Sequence, residues 1–326
     1  MSRSLRAVTS RLSRLPFPLS APAWPSSLPR PAPERRTGLV YDHAWSRRYP
    51  VRLARAMLLD GVTRPVARVV APTTTRGEEH LGLLEAPVIF AANHASHADT
   101  PLLLATLPVR FRHHTVVAAA SDYFFDTTWK AALWSFALAA VPIERTKVNR
   151  RSADVAAGLL EEGWSLVIFP EGGRSPDGWL QPFRGGAAYL ARRTGRPVVP
   201  VYLHGTREIL KKSPPVRSGP AGQPAGGSGS EVRGRRSLRR APVSVMFGAP
   251  LVCAEGEDAR RFGARIEAAV ALLADEVSTD WWSARRRAGA GSTPSPAGPD
   301  VSPWRRSWAL PSPPGPEHGE RTWPAS

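Results

Sequence analysis

Residues 88–99 have the sequence VIFAANHASHAD, an apolar run that leads into a polar turn. The first five residues are uniformly apolar and of strand length, which is typical of a strand buried on both faces of a sheet. The polar residues follow where that strand ends, and open α/β sheets bind ligands at this edge. This stretch therefore predicts a buried strand that brings histidine and aspartate to a binding site.

Strand and helix patterns alternate along the chain outward from this stretch. With residues 87–92 included, apolar runs of strand length also occur at 115–119, 141–144, 165–169, 198–203 and 243–247. Helix-like segments are predicted at 100–107, 128–139, 150–162 and 185–193, from about 259 to 280, and at 44–70 with a break at Gly61 and Pro65. This alternation predicts an α/β fold with a mixed, mostly parallel sheet flanked by helices.

Segments rich in proline, serine and arginine lie on both sides of this pattern. Residues 1–38 and 284–326 show no apolar periodicity, so we expect disordered tails around one domain at residues 40–283. A tract rich in glycine, proline, serine and arginine at about 211–241 is too long and biased for an ordered connection, and it predicts a disordered insertion.

The formal net charge of +17 is concentrated in two flanks. Residues 1–55 hold eleven arginines against two acidic residues, and residues 207–240 hold nine basic residues against two acidic ones. A nucleic-acid enzyme would place this charge on its folded binding face, so we expect no nucleic-acid partner. Basic flanks suit attraction to an anionic membrane surface, while solvated tails in an arginine-rich proteome are the equally open alternative.

Cysteine content and apolar segments limit the location of the chain. Cys253 is the single cysteine, which excludes an internal disulfide and a cysteine-built metal site. A signal peptide is not evident, and the longest apolar stretch, residues 131–143, is too short to span a bilayer. We therefore expect a cytoplasmic protein that is peripheral at the inner face of the cell membrane.

His94 and Asp99 stand in an Asn-His-x-x-x-x-Asp pattern directly after the first predicted strand. An imidazole held by a carboxylate is the arrangement of a general base, because the carboxylate fixes the tautomer and stabilises the imidazolium. The alternative is that Asp99, alone or with Ser96, caps the following helix. A metal site formed with His97 would need a further ligand cluster, and none is evident, so we expect no metal.

The second pattern is Phe-Pro-Glu-Gly-Gly-Arg-Ser at residues 169–175, again after a predicted strand. A glycine-rich turn exposes backbone N–H groups, and an adjacent arginine can hold a phosphate in bidentate fashion. An ordinary turn is the alternative, but it leaves Glu171 unexplained. Two further elements are Val-Pro-Ile-Glu-Arg, which places Arg145 just beyond a strand, and Val-Pro-Val-Tyr-Leu-His-Gly-Thr at residues 199–206.

In order and spacing, these four elements resemble the glycerolipid acyltransferase family, which includes bacterial 1-acylglycerol-3-phosphate acyltransferases. The resemblance covers roughly residues 75–280. It implies the family's mixed sheet flanked by helices, His94 as general base, Asp99 as its partner, and an apolar channel for the acyl chain. Gly173 departs from the family's threonine, and Ala139 and Pro142 stand where Gly and Phe are more usual. The residues implied to hold the acceptor phosphate are Arg145, Glu171, Gly172, Arg174 and Ser175.

The function implied is transfer of a fatty acyl group from acyl-CoA or acyl carrier protein, the co-substrate, to a lysophospholipid hydroxyl. The default acceptor is 1-acylglycerol-3-phosphate, which would give phosphatidate without a cofactor. Glycerol-3-phosphate and a lyso-aminolipid stay open as acceptors because of Gly173. A lipid or thioester hydrolase is a competing interpretation, although the sequence lacks Gly-x-Ser-x-Gly. A non-enzymatic membrane-binding protein is the other.

Overall fold

The computed structural model describes residues 41–144, 150–209, 240–299 and 306. The predictions made for Arg145, for the tail at residues 1–38 and for nearly all of the insertion at 211–241 lie outside these residues.

Seven strands within the described residues form one sheet in the order β1-β7-β6-β2-β5-β3-β4. The five strands from β6 to β4 are parallel, β7 is antiparallel to β6, and β1 is parallel to β7. This confirms the predicted mixed, mostly parallel sheet. The strands are β1 Thr73–Arg76, β2 Ile89–Ala92, β3 Thr115–Ala120, β4 Ala140–Ile143, β5 Ser165–Ile168, β6 Val198–His204 and β7 Val243–Phe247.

Helices cover both faces of the sheet, as predicted. Strand β2 shows why, because Phe90 and Ala92 pack into one apolar cluster while Ile89 and Ala91 pack into another. A strand buried on both faces has no polar positions, which explains its continuous apolar run. The helices are α1 Tyr49–Leu58, α2 Arg64–Val70, α3 Glu79–Gly82, α4 Asp99–Thr106, α5 Val109–Arg112, α6 Ser121–Phe124, α7 Thr128–Leu138, α8 Arg150–Glu161, α9 Gly186–Thr194, α10 Thr206–Ile209, α11 Ala259–Ser278 and α12 Trp281–Gly289.

The helical segment before the sheet is continuous rather than broken at Gly61. A π-helical turn, Leu59–Thr63, contains Gly61 and joins α1 to α2. Such a turn accommodates one extra residue without ending the helix. Pro65 lies in the first turn of α2, directly after the π-helical turn, and does not end the helical segment.

The folded part extends beyond the boundary expected at residue 283. Helix α12 follows, capped by the Asp280 side chain, which accepts a hydrogen bond from the Ser283 N–H. Arg287 joins α12 to α11 through two contacts with Asp275, at 2.8 and 2.6 Å. Residues 290–299 then contact the rest of the domain through polar groups. Among the described residues, no helix is long and apolar enough to cross a bilayer.

Candidate active site

The two predicted motifs lie side by side because of the sheet register. Strands β2 and β5 are parallel neighbours with Ala91 paired to Ile168, so the segments that follow them begin at the same edge. His94 belongs to the first segment and Glu171 to the second. The sheet therefore brings together residues that are 77 positions apart in the sequence.

His94 and Asp99 form the predicted pair. The His94 Nδ1 atom lies 2.8 Å from Asp99 Oδ2, and the aspartate is fully buried. The same oxygen accepts the backbone N–H groups of Ala95 and Ser96, each at 2.7 Å. The carboxylate thus turns back toward the loop that holds the histidine. The alternative prediction, that Asp99 caps the helix, is wrong. The N-cap residue of α4 is Ala98, and no side chain forms a capping hydrogen bond there.

The environment of the imidazole fixes its orientation and its tautomer. With Asp99 accepting a hydrogen bond, Nδ1 carries the proton and Nε2 carries the lone pair of the neutral ring. The ring stacks on Phe169, with centroids 4.1 Å apart and an interplanar angle of 22°. The side chain is 14% exposed, so the ring is accessible from one side.

Asn93 anchors the end of β2, a role that the sequence interpretation did not assign. Its side-chain amide donates to Leu203 O at 3.0 Å, and its Oδ1 accepts the Leu203 N–H at 2.7 Å. These two hydrogen bonds extend the pairing of β2 with β6 by one residue, through a side chain instead of the backbone. The signal in the sequence was an asparagine directly before the histidine.

Glu171 holds the backbone of the histidine instead of facing the cavity as expected. Its Oε1 accepts the His94 N–H at 2.6 Å, and its Oε2 accepts the Gln181 N–H at 2.9 Å. The residue is 5% exposed. Burial raises the pKa of Glu171 to about 7, the two backbone hydrogen bonds oppose the shift, and the charge of Asp99 adds to it. The expectation of a direct acceptor contact is therefore corrected to a positioning role.

The other residues of the second motif divide into two groups. Arg174 is exposed and lines the cavity next to His94, together with Gly172 and Gly173. The Ser175 N–H donates to His94 O at 2.8 Å. Its buried hydroxyl accepts the Gly178 N–H at 2.7 Å and donates to Asp177 at 3.3 Å. The Ser175 side chain is thus used within the loop, and Arg174 is the cation of this motif at the cavity.

Arg184 lines the cavity, and the sequence interpretation missed it because it lies outside the four sequence elements quoted above. Its backbone N–H donates to Pro170 O at 2.8 Å. A Cβ atom at position 172 would lie 2.9 Å from Arg184 Nε, and Gly172 has a φ of +73°. The backbone conformation therefore favours glycine at this position, and an added Cβ atom would displace the Arg184 side chain.

A cavity of about 710 Å³ opens beside His94. Small residues of β3 form one wall, and large apolar side chains of α7, Trp134 and Leu138, form another. His97, expected at a pocket rim, lines the cavity and stacks on Tyr123 with centroids 5.7 Å apart. Within the described part of the chain, no group of three or more His, Cys, Asp or Glu side chains is placed to hold a metal ion.

Fold and site together define an α/β domain with a His–Asp pair at the carboxyl ends of its parallel strands, beside a largely apolar cavity. Residues 72–204 match the family model described as Acyltransferase. This range contains the first three sequence elements quoted above and residues 199–204 of the fourth. Over these residues the chain is similar to the acyltransferase family, and its resemblance to the glycerolipid acyltransferases is confirmed.

Curated relatives support this assignment over part of their length. The chain is 31% identical to 1-acyl-sn-glycerol-3-phosphate acyltransferase BAT2, chloroplastic, of Brassica napus, over 142 residues, which are 42% of this chain and 39% of that protein. It is 26% identical to 1-acyl-sn-glycerol-3-phosphate acyltransferase alpha of Mus musculus over 138 residues, 42% of this chain and 47% of that protein. The match thus spans less than half of either relative.

One solved structure is similar to the chain over a longer range. It is the 1-acyl-sn-glycerophosphate (LPA) acyltransferase PlsC from Thermotoga maritima, with 21% sequence identity and a TM-score of 0.46. The similarity covers 73% of this chain and 85% of that structure.

Proposed function

We propose that the protein is an O-acyltransferase that moves a fatty acyl group from acyl-CoA or acyl carrier protein to the free hydroxyl of a lysophospholipid. The observation that carries this proposal is the 2.8 Å contact between His94 Nδ1 and Asp99, made beside a 710 Å³ cavity with largely apolar walls. We propose 1-acylglycerol-3-phosphate as the acceptor and phosphatidate as the product. The similarity to proteins described as 1-acyl-sn-glycerol-3-phosphate acyltransferases supports this choice.

His94 acts as the general base in the proposed reaction. Its Nε2 removes the proton of the acceptor hydroxyl as that oxygen attacks the thioester carbonyl. A C–O bond forms, the C–S bond breaks, and the imidazolium returns the proton to the departing thiolate. Asp99 stabilises the imidazolium, and general-base assistance of this kind contributes about 10²–10⁴-fold.

Arg174 binds the acceptor phosphate in this proposal. It is an exposed cation at the same cavity as His94, and a guanidinium can hold a phosphate through two parallel hydrogen bonds. Arg145 remains a predicted second ligand. Fixing the phosphate places the hydroxyl against the base, and such positioning supplies much of the remaining rate enhancement.

The decisive experiment is an acyl-transfer assay with purified His94→Ala. We expect its product formation to fall by about 10²–10⁴-fold, measured by mass spectrometry with one acyl-CoA and a panel of lyso-acceptors. His80→Ala, on α3 and outside the cavity, is the matched control and keeps its activity. Near-normal transfer by His94→Ala would contradict the mechanism. Rapid release of CoA without any acceptor would favour a hydrolase instead.

We also propose that the protein binds an anionic membrane surface, where its lipid substrates reside. Helix α1 exposes an apolar stripe of Tyr49, Leu53 and Met57, and α7, which packs on α1, exposes Trp129 and Leu133. Helix α7 also lines the cavity. Residues 41–70 contain six arginines and two aspartates, and basic residues favour an anionic surface. The predicted location at the inner face of the cell membrane forms part of this proposal.

A further inference from the structure

A segment after α12 contacts residues 177–180 of the loop at residues 172–181, which begins within the second motif and includes Arg174. We call this segment the strap and define it as residues 290–299 together with Arg306. Arg306 Nε lies 2.8 Å from Asp177 Oδ2, and the Trp179 indole N–H donates to Arg306 O at 2.8 Å. The backbone of the strap also takes part, because Pro296 O accepts the Leu180 N–H at 3.1 Å.

The Arg306 guanidinium also forms hydrogen bonds with backbone carbonyls of the strap itself. Nη1 donates to Pro299 O at 2.9 Å, and Nη2 donates to Ala297 O at 2.7 Å. Between these two carbonyls lies Gly298, which has a φ of +76°. A Cβ atom there would lie 2.3 Å from Trp179 Cδ2, so the indole packs directly on the glycine. The fit between strap and loop therefore combines the packing of Trp179 on Gly298 with one ion pair and two hydrogen bonds.

The loop beneath the strap is connected to both backbone groups of His94. The Ser175 N–H donates to His94 O, and the Gln181 N–H reaches the His94 N–H through the carboxylate of Glu171. Asp177 joins these contacts to the strap. Its Oδ1 accepts the Ser175 hydroxyl at 3.3 Å and the Trp179 N–H at 3.1 Å, while its Oδ2 faces Arg306.

We propose that the strap positions the loop that carries Arg174, so that Asp177, Trp179 and Arg306 are positioning residues for the phosphate-bearing acceptor. This inference rests on the proposed function. If the strap moves away, Ser175 and Arg174 lose their fixed distance to His94, and the acceptor phosphate loses its ligand. In this proposal the acyl donor occupies the apolar part of the cavity lined by β3 and α7, so we expect the strap to leave donor binding unchanged. The strap lies outside the family match at residues 72–204.

The kinetic test compares two glycine variants of the full-length protein. Gly298→Ala introduces the contact with Trp179, whereas Gly291→Ala, with a φ of +65° at the same segment, places its Cβ in open space. Both variants carry the cost of a positive φ, so only the contact with the loop differs. We expect Gly298→Ala to raise the KM for the acceptor about tenfold and to leave the KM for the donor within about twofold. Gly291→Ala changes neither value.

A second measurement does not depend on catalysis. Hydrogen–deuterium exchange of peptides covering residues 172–181 should be faster in Gly298→Ala and in Arg306→Ala than in wild type or Gly291→Ala. Arg306→Lys restores part of the protection because it keeps the charge facing Asp177. If the wild type transfers no acyl group, the proposed function fails, while the exchange experiment still decides whether the strap holds the loop.

The inference is overturned if exchange in residues 172–181 is the same in Gly298→Ala and Gly291→Ala. It is also overturned if loosening of the loop leaves the acceptor KM unchanged, or raises the KM of donor and acceptor equally. In the last case the strap would stabilise the fold without positioning the acceptor site. If Gly298→Ala fails to fold, the acceptor KM and the exchange of residues 172–181 are measured in Arg306→Ala instead.

Discussion

His94 is held by two buried carboxylates that contact different parts of the residue. Asp99 bonds the ring, where a negative charge stabilises the imidazolium of the proposed mechanism. Glu171 accepts a hydrogen bond from the backbone N–H of His94. This role does not require an ionised carboxylate, because a protonated carboxyl group can still accept a hydrogen bond. This difference explains how two acidic groups can lie close to one histidine in a site that is largely shielded from water.

The raised pKa of Glu171 predicts a pH-dependent stability. Because its folded pKa of about 7 lies above the ordinary 4.5, the folded state binds this proton more tightly than the unfolded state does. The contribution of Glu171 to the free energy of unfolding is therefore complete below about pH 4.5. It decreases by up to about 3 kcal/mol as the pH rises to 7, and it is constant above that.

Urea unfolding at pH 5, 6, 7 and 8 checks this prediction. We expect the stability of wild type relative to Glu171→Gln to fall across this range, since glutamine does not titrate. Exposed Glu161→Gln is the matched control and should keep the wild-type pH dependence. Parallel curves for wild type and Glu171→Gln would show that the carboxyl group is not perturbed in this way.

Sequence patterns predicted the pairing of His94 with Asp99 but not the role of Glu171. The spacing of His94 and Asp99 left open whether Asp99 contacts the imidazole or caps the following helix, and the structure shows the contact. A carboxylate after a strand can face either the cavity or the backbone of the neighbouring loop. That choice depends on the parallel pairing of β2 and β5, which no local pattern contains. Arg184 was missed because it lies outside the four sequence elements, and only the folded chain brings it to the cavity.

At the level of elements, buried strands were predictable and the edge strand β1 was not. All six apolar runs correspond to strands within about two residues at each end. Strand β1, residues 73–76, is three threonines and an arginine with alternating partial exposure, and it pairs with β7 alone. No residue of β1 is fully buried, so this strand needs no apolar run and its sequence carries a weak signal, whereas β4 at the other edge is largely buried and was predicted from its apolar run.

Arg55 joins α1 to α7, and its contacts predict a contribution to the free energy of unfolding. This arginine is 5% exposed, and burial lowers its pKa to about 10, so it stays charged at neutral pH. It donates to Phe136 O at 2.6 Å and to Ser135 O at 3.5 Å, both in the last turn of α7, and to Ser46 O. These carbonyls have few other partners available at a helix end.

We expect Arg55→Met to lower the free energy of unfolding by about 2–4 kcal/mol, because it leaves buried carbonyls without donors. Arg68→Met, at an exposed position on α2, serves as control and should change stability by less than about 0.5 kcal/mol. Equal effects of the two substitutions in denaturant unfolding would mean that Arg55 does not join α1 to α7.

At the level of the whole molecule, composition failed to reveal the strap. Residues 290–299 are rich in proline, serine and glycine and have no apolar periodicity, which favoured disorder from residue 284 onward. The structure holds this segment by backbone carbonyls, one ion pair and the packing of Trp179 on Gly298. Such contacts are specified by tertiary geometry, so they leave no periodic signal in the sequence.

The apolar stripes of α1 and α7 and the arginines of residues 41–70 predict how the whole protein binds the membrane that would hold its proposed lipid substrates. Binding to vesicles of phosphatidylglycerol and phosphatidylcholine should weaken about tenfold to a hundredfold in Leu53→Glu, which removes an apolar contact and adds a repelled charge. Leu83→Glu adds the same charge at a leucine that is 95% exposed and outside both stripes, so its binding should change little.

Catalysis separates membrane docking from damage to the site in this experiment. Leu53→Glu should keep wild-type transfer to a water-soluble, short-chain acceptor, because α1 contributes no residue to the cavity, and should lose transfer to acceptors embedded in vesicles. Equal weakening of vesicle binding by Leu53→Glu and Leu83→Glu would instead assign the attraction to net charge. The apolar stripe of α1 would then have no part in delivering the acceptor to His94.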